Sequence, residues 1–396
     1  MGTRILLFTG KGGVGKTTCA AATALHLAKQ GKRTLVLSSD PAHSLSDALD
    51  EELGPEPTRI TENLFAQEID LYYSMQKYWG NVRQLMLTAF RWQGVEKIAA
   101  EEMAALPGMA EASALLWLEK FEEEDTYDVI VVDSAPTGET LSLLTLPQAT
   151  QWWISRALPF QKTAIKTLGF GVRKTTGIPL DKGYEELDTL FGKLQRIQKV
   201  LSDTSRSSVR LVMNPERMVI REARRAHTYL QLYGYGVDAV IVNRVLPTEN
   251  VGSALQAYVT AQADYLDEIE QSFAPLPILR VPHLGEEVFG RALLERIADG
   301  LYSDHDPAAV LHDRQTFELI EKGDGYELAL LLPFLHTETF EVTQFGDELV
   351  IQVHNQRRNY QLPNFLTYYT LTETVLKDDW LRAQFAPPTD GALATS

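Results

Sequence analysis

Two lysines bracket a run of glycines near the start of the chain: in GKGGVGKTT, Gly10 to Thr18, they are Lys11 and Lys16. Gly10, Gly15, Lys16 and Thr17 satisfy G-x-x-x-x-G-K-[ST], a pattern that wraps a polyphosphate in backbone N–H groups. Gly10, Gly12, Gly13 and Gly15 let amides come close to oxygen atoms and permit the positive φ values such a nest needs. The helix expected to follow adds its positive N-terminal end. Residues Gly10, Lys11, Gly12, Gly13, Val14, Gly15, Lys16, Thr17 and Thr18 thus form the expected nucleotide cradle. Lys16 would contact the β and γ phosphates, and the Thr17 hydroxyl would ligate Mg²⁺. Nothing in that pattern requires Lys11.

Two further segments bring carboxylates to the ends of apolar runs. VVDSAPTGET places Asp133 where it can hold the metal's water shell, and SSDPAHSLSDAL presents Asp40 to the same crevice, as a catalytic candidate or a cap for the helix that follows. The elements that must carry them are readable. RILLFT, RTLVLSS, YDVIVVD, VRLVMN, VDAVIVN and ILRVP are nearly continuous apolar runs, as strands of a parallel sheet covered on both faces are. Between the first two, TTCAAATALHLAKQGK has a helical pattern closed by Gly31. Strand, glycine loop, helix and strand make a βαβ unit, and its repetition predicts a doubly wound, mostly parallel α/β fold. Ligands bind outside the carboxyl ends of such strands, where all three segments converge.

The alternation predicts a P-loop domain over 1–305 with two helical insertions, at about 70–125 and 147–208. A linker over 306–316 follows. Apolar residues then tend to alternate in YELALLL and DELVIQVH, with turns at GDG (Gly323 to Gly325) and at Gly346 and Asp347. That pattern predicts a small antiparallel β-sandwich over 317–386 and a loose tail over 387–396.

Bulk composition narrows the function. The 396 residues carry a formal net charge of -16, which argues against nucleic acid as a partner, because phosphate neutralisation needs clustered Lys and Arg. One cysteine, Cys19, provides neither an intramolecular disulfide nor a multi-cysteine zinc site, so no zinc is expected. MGTRILLFTG runs straight into the glycine turn without the apolar core of a secretory leader, and LALLLPFL is too short to span a bilayer. The expectation is a cytoplasmic protein, in a bacterial cytosol or a plastid stroma.

KGGVGKTT, DPAHSLSDAL, LPGMAEA and DSAPTGETL together resemble the family that contains the arsenite-pump ATPase subunit and the eukaryotic ATPase that targets tail-anchored membrane proteins. The resemblance covers about residues 1 to 299, and it implies an ATP-hydrolysing homodimer whose subunits face each other across paired nucleotides. Lys11 matches the family's signature lysine, which crosses to the partner's phosphates. The resemblance thereby makes Lys11 an in-trans cation, comparable to an arginine finger worth roughly 10³–10⁵ in rate. The implied catalytic set is Asp40, Lys11 and Lys16, with ATP and Mg²⁺ as cofactors. Asn243, in VIVNRVLP, matches the family's adenine-reading asparagine, and Pro282, in VPHLGEEVFG, lies in the loop that closes over the base. The C-terminal stretch YELALLLPF…GDELVIQVHNQRRNYQLP resembles the α-crystallin, or small-heat-shock, sandwich appended to some bacterial members.

The sequence also departs from these relatives. The arsenite subunit holds its metalloid with several thiolates, and the targeting ATPase shares a zinc through C-x-x-C; this chain has Cys19 alone. Glu139 follows PTG, where the family often has histidine. In the targeting relatives, helical insertions form an apolar groove for a client helix. Here the insertions contain Leu85, Met86, Leu87, Phe90, Trp92, Met103, Leu106 and Met109, then Trp152, Trp153, Ile154, Leu158, Phe160, Leu168 and Phe170. Such side chains suit an adaptable surface for a hydrophobic protein segment or an amphipathic small molecule, and equally an ordinary core. The basic-aromatic stretch from Trp152 to Lys182 also fits a transient membrane contact. Three functional classes follow: an ATP-driven chaperone or targeting factor for hydrophobic segments, an ATPase switch acting on a lipid, membrane or metabolic partner, and a largely structural nucleotide-locked dimer.

Overall fold

Apolar runs with few polar interruptions become the strands of one sheet. The computed structural model describes residues 2–40, 44–78, 109–146, 180–249, 252–303, 305–314, 316–336 and 339–387. Its larger sheet contains β1 (Arg4–Thr9), β2 (Thr34–Ser38), β3 (Thr58–Arg59), β4 (Leu64–Glu68), β5 (Val129–Asp133), β6 (Ser207–Met213), β7 (Val237–Val245) and β8 (Ile278–Pro282). They are ordered β3-β4-β2-β5-β1-β6-β7-β8, and only the β3–β4 pair is antiparallel. β1, β2, β5 and β6 are buried along their whole length, as strands covered on both faces must be. The doubly wound α/β fold expected from the sequence is present.

β3 and β4 were not expected. LFAQE ends in two polar residues, so its hydrophobic signal is weak, yet both are buried. Their polar atoms find partners elsewhere: Gln67 Nε2 donates to Pro55 O at 2.7 Å, and Glu68 Oε1 accepts the backbone N–H groups of Leu45 and Ser46 at 3.0 and 2.9 Å. Glu68 thereby satisfies otherwise unpaired amides at the start of the helix Ser44–Leu49. That helix opens the segment following Asp40.

Arg210, on buried β6, is fully enclosed, which is tolerable only because its charge is paired and its donors are used. Its Nε lies 3.3 Å from Asp238 Oδ1, and its other nitrogens donate to the Tyr302 hydroxyl at 3.1 Å and to Pro307 O at 2.7 Å. Arg4 Nε donates to Ala308 O at 3.0 Å. Two buried arginines therefore anchor the segment leaving the helix Gly290–Leu301 before it reaches the second unit.

That unit has a four-stranded sheet, ordered β14-β15-β10-β9, and a three-stranded sheet, ordered β11-β12-β13. The strands are β9 (Phe317–Lys322), β10 (Gly325–Leu331), β11 (Phe340–Phe345), β12 (Glu348–Val353), β13 (Gln356–Gln361), β14 (Thr370–Lys377) and β15 (Trp380–Ala386). All pairings are antiparallel. Leu328, Leu330, Leu349, Ile351, Val353 and Phe385 share its core with Leu232, from the helix Arg217–Leu232 of the first unit. Leu232 O also accepts hydrogen bonds from the Tyr360 hydroxyl at 2.6 Å and from Arg358 at 2.5 Å. One helix terminus is thus both plugged and capped by the sandwich.

No helix among the described residues is long and apolar enough to cross a membrane. The insertion side chains from Leu85 to Leu106 and from Trp152 to Phe170 lie outside the described residues, as do 152–179 of the basic-aromatic stretch and 388–396 of the tail.

Candidate functional site

The glycine turn sits between β1 and the helix Lys16–Lys29, and its geometry excludes side chains at two points. A Cβ on Gly10 would stand 2.1 Å from Val212 O, on the neighbouring strand. A Cβ on Gly15, where φ is 91°, would stand 2.2 Å from Asn243 Nδ2. Both contacts are far inside van der Waals range, so the loop can follow this path only with glycine. The path delivers Lys16, buried, and Thr17, half-buried, at the helix N-terminus. Unpaired amides and the helix dipole there favour an anion.

Strand register brings the acidic residues to the same edge. Asp133, the last residue of β5, pairs with Phe8 of β1 on one side and with Ser38 of β2 on the other. Its side chain is fully buried, and burial pushes the carboxyl up from 3.8 to about 7. The hydroxyls of Thr17 and Ser38 and the charge of Lys16 oppose that rise, whereas Asp40 adds to it. Ser38 Oγ donates to Asp133 Oδ2 at 3.2 Å and accepts the Asp40 N–H at 3.3 Å, so one hydroxyl ties the two acidic loops together. Asp133 Oδ1 is buried and has no hydrogen-bond partner among the described residues. A buried acceptor left unpaired is costly, and here it marks a position built for a donor. Thr17 Oγ1 lies 3.0 Å from Ser44 Oγ. Among the described residues no group of three or more His, Cys, Asp or Glu could hold a metal ion. A cation at this edge would therefore rely on hydroxyl, water and phosphate oxygens beside Asp133.

The segment after Asp133 is tied back to the glycine turn's strand. Ser134 Oγ donates to Phe8 O at 2.5 Å, and the Thr140 hydroxyl accepts from Thr9 at 3.0 Å while donating to Ala135 O at 2.7 Å. These bonds couple the end of β1 to the helical run over 137–146. Thr137 donates to Glu222 at 3.3 Å, and Tyr235 donates to Leu144 O at 2.6 Å. Displacement of that run would therefore load Glu222, within the helix Arg217–Leu232, and Tyr235, just beyond its C-terminal end.

A cavity of about 540 Å³ collects Thr18, Asn243 and Pro282, together with Arg244, His283 and Glu287. The volume suits a nucleoside base and sugar. Asn243 is not free for a ligand alone: its Nδ2 donates to Val14 O at 2.8 Å and its Oδ1 accepts the Arg244 N–H at 2.9 Å. Asn243 therefore clamps the glycine turn from β7, two strands away from β1 in the sheet. His283 Nδ1 accepts the Gly285 N–H at 2.9 Å, which puts the proton of a neutral ring on Nε2.

The structure brings Lys16, Thr17, Asp40 and Asp133 to one edge, and Thr18, Asn243 and Pro282 to one cavity. Lys11 is half-buried, and its ammonium makes no ion pair among the described residues. Sequence reasoning missed Ser38, whose only signal was the SSD at a strand end, and Arg244, whose φ of 57° gives no signature. Cys19 is fully buried, and burial pushes its thiol up to about 12.

Comparison with known proteins adds three findings. The family model of the anion-transporting ATPases matches residues 3–303, and that of the HSP20-like domain found in ArsA matches residues 323–385. The chain is 42% identical over 387 residues to a putative arsenical pump-driving ATPase of Chlorobaculum tepidum, covering 96% of each. It is 36% identical over 375 residues to the putative arsenical pump-driving ATPase 1 of Aquifex aeolicus, covering 92% of this chain and 95% of that one. It is 30% identical over 302 residues to the ATPase GET3 of Phaeosphaeria nodorum, covering 74% of this chain and 93% of that one.

Proposed function

The chain belongs to the anion-transporting ATPase family and is an ATPase, and on that premise we propose that it hydrolyses ATP as a Mg²⁺-dependent homodimer whose nucleotide state controls a helical hydrophobic surface. The observation that best supports the catalytic part is the unpartnered, buried Asp133 Oδ1 beside Thr17 and Lys16. Thr17 Oγ1 and a water held by Asp133 would complete the shell of a Mg²⁺ that neutralises the triphosphate. Lys16 would hold the β and γ phosphates. Asp40, tethered through Ser38 to Asp133, would orient or deprotonate the attacking water. Lys11, without an ion pair among the described residues, would reach the γ-phosphate of the second subunit and oppose the charge that develops in transfer. Asn243 and Pro282 would border the base.

The work driven is read as chaperoning or targeting of hydrophobic protein segments in the cytoplasm. Two features favour this over metalloid transport, despite the names of the bacterial relatives. A soft metalloid needs thiolates. The single thiol here is enclosed and held protonated, its burial raising it to about 12. The bonds from Thr137 and Tyr235 give nucleotide-dependent movement of the run over 137–146 a route into the surrounding helices. A switch acting on a lipid or metabolic partner is the second reading, and the basic-aromatic sequence from Trp152 to Lys182 is what favours it.

An Asp40→Asn chain should bind ATP and fail to turn it over. Purified from cells with ATP and analysed by mass spectrometry, it should carry hydrophobic helical segments. Normal hydrolysis would remove Asp40 from the mechanism, and a bare protein would count against the chaperone reading.

A further inference from the structure

A niche of about 160 Å³ opens on the side of the acidic loops away from the base cavity's residues. Its walls are Ile69, Leu71, Ala114, Ala135 and Leu143, drawn from the residue after β4, the start of the helix Leu71–Tyr78, the helix Met109–Glu123 and the segment after Asp133. Ala114 and Ala135 are buried and end at Cβ, where longer side chains would close the gap. The volume is comparable to an engineered apolar cavity of about 150 Å³ in another protein that binds benzene. This one is open to the surface, and Glu111 and Glu139 also line it. Neither carboxylate makes an ion pair among the described residues, and Glu139 is exposed. Apolar walls with a few converging polar groups are what small-ligand sites offer. The two carboxylates at this one fix the sign of the ligand.

We propose that the niche between Ala114, Ala135 and Leu143, with Glu111 and Glu139 on its lining, is an effector site for a small organic cation carrying a ring-sized apolar group. Position gives the site its consequence. Ala135 is two residues beyond Asp133, and Ser39, which also lines the niche, precedes Asp40. A ligand seated there touches both loops that hold the nucleotide's acidic groups, so its affinity and that of ATP must influence each other reciprocally. The site depends on the ATPase fold alone and stands apart from the identity of any client.

The test uses the full chain without nucleotide and three probes of one shape: phenethylammonium, 2-phenylethanol and 3-phenylpropionate, titrated by ligand-observed NMR. Phenethylammonium should bind saturably, the alcohol about three- to ten-fold more weakly, and the carboxylate not at all, in line with the modest strength of exposed charge pairs. The Glu111→Gln/Glu139→Gln double variant should reduce the ammonium's affinity to that of the alcohol. Ala114→Leu should abolish binding of both. Because Glu139 is exposed, Glu111 is half-buried and neither is in an ion pair among the described residues, the double variant should keep the fold, and it decides the matter should Ala114→Leu unfold. Equal affinity for the three probes, no saturable binding of the ammonium, or an unchanged ammonium affinity in the double variant would overturn the proposal.

Discussion

Asn243→Ala separates two roles that the fold gives to one side chain. As a base contact, Asn243 would affect only the nucleotide-bound protein. As a clamp it acts before nucleotide arrives: Nδ2 holds Val14 O at 2.8 Å, Oδ1 holds the Arg244 N–H at 2.9 Å, and the side chain is buried. Truncation removes both bonds and leaves a carbonyl and an amide to be satisfied anew. At about 1 kcal/mol per lost bond, with an added penalty wherever water cannot replace it, the expected loss is about 2–3 kcal/mol. For a unit this large that corresponds to a fall of about 4–12 °C in the unfolding midpoint, using about 2–4 °C per kcal/mol. The assay is thermal unfolding of the nucleotide-free variant beside the parent chain, followed by the same measurement with saturating ATP. ATP should raise the variant's midpoint less than the parent's, because the loosened glycine turn must be reordered on binding. A nucleotide-free midpoint within about 1 °C of the parent's would refute the clamp and leave Asn243 as a base contact only.

Two further outcomes follow from the same structure. Burial raises the Asp133 carboxyl from 3.8 to about 7, so the nucleotide-free folded protein keeps a proton there that the unfolded chain gives up. The stability this confers is full below about pH 4 and is lost as pH rises through about 7. Under the proposed mechanism, in which Mg²⁺-ATP binding uses the carboxylate, that binding should tighten as pH rises from about 6 to 8 and release a proton near the lower end. Calorimetry in two buffers of different ionisation enthalpy checks this, and pH-independent binding without proton release would contradict it. Tyr360→Phe/Arg358→Ala removes both donors to Leu232 O and should weaken docking of the sandwich by about 1–3 kcal/mol. Scanning calorimetry should then show an early transition for the sandwich, and one unshifted transition would argue that apolar packing of Leu232 suffices.

What the sequence made legible was whatever local patterning encodes. Arg4–Thr9 and Ile278–Pro282 are strands over the stretches their apolar runs mark; the first is buried on both faces, which needs continuous hydrophobicity, whereas the second is an edge strand that buries only Leu279 and Val281. Leu64–Glu68 was invisible, since Gln67 and Glu68 are buried through bonds to residues far along the chain. The turn between β14 and β15 was missed for another reason. Asp378 and Asp379 adopt φ values of 51° and 64°, which glycine would have announced and aspartate does not. At the site, the glycine turn and the acidic residues at strand ends were readable as motifs. Ser38 as the tether between Asp40 and Asp133, Asn243 as a clamp 229 positions from Val14, and the pairing of Arg210 with Asp238 depend on the order and register of separate strands in the sheet. No local period records that register.

The central claim is that Lys11 completes the active site of a second, identical subunit, and subunit mixing tests it most directly. Lys11→Ala and Asp40→Asn chains should each be inactive alone. In a mixed dimer the Lys11→Ala subunit keeps its own Asp40 and receives Lys11 from its neighbour, so one of the two sites is whole. With random reassortment in a two-fold dimer, an equimolar mixture should recover about a quarter of the parent ATPase rate. A mixture as inactive as its components, with mixed dimers shown to have formed, would place Lys11 in its own subunit's site and contradict the account.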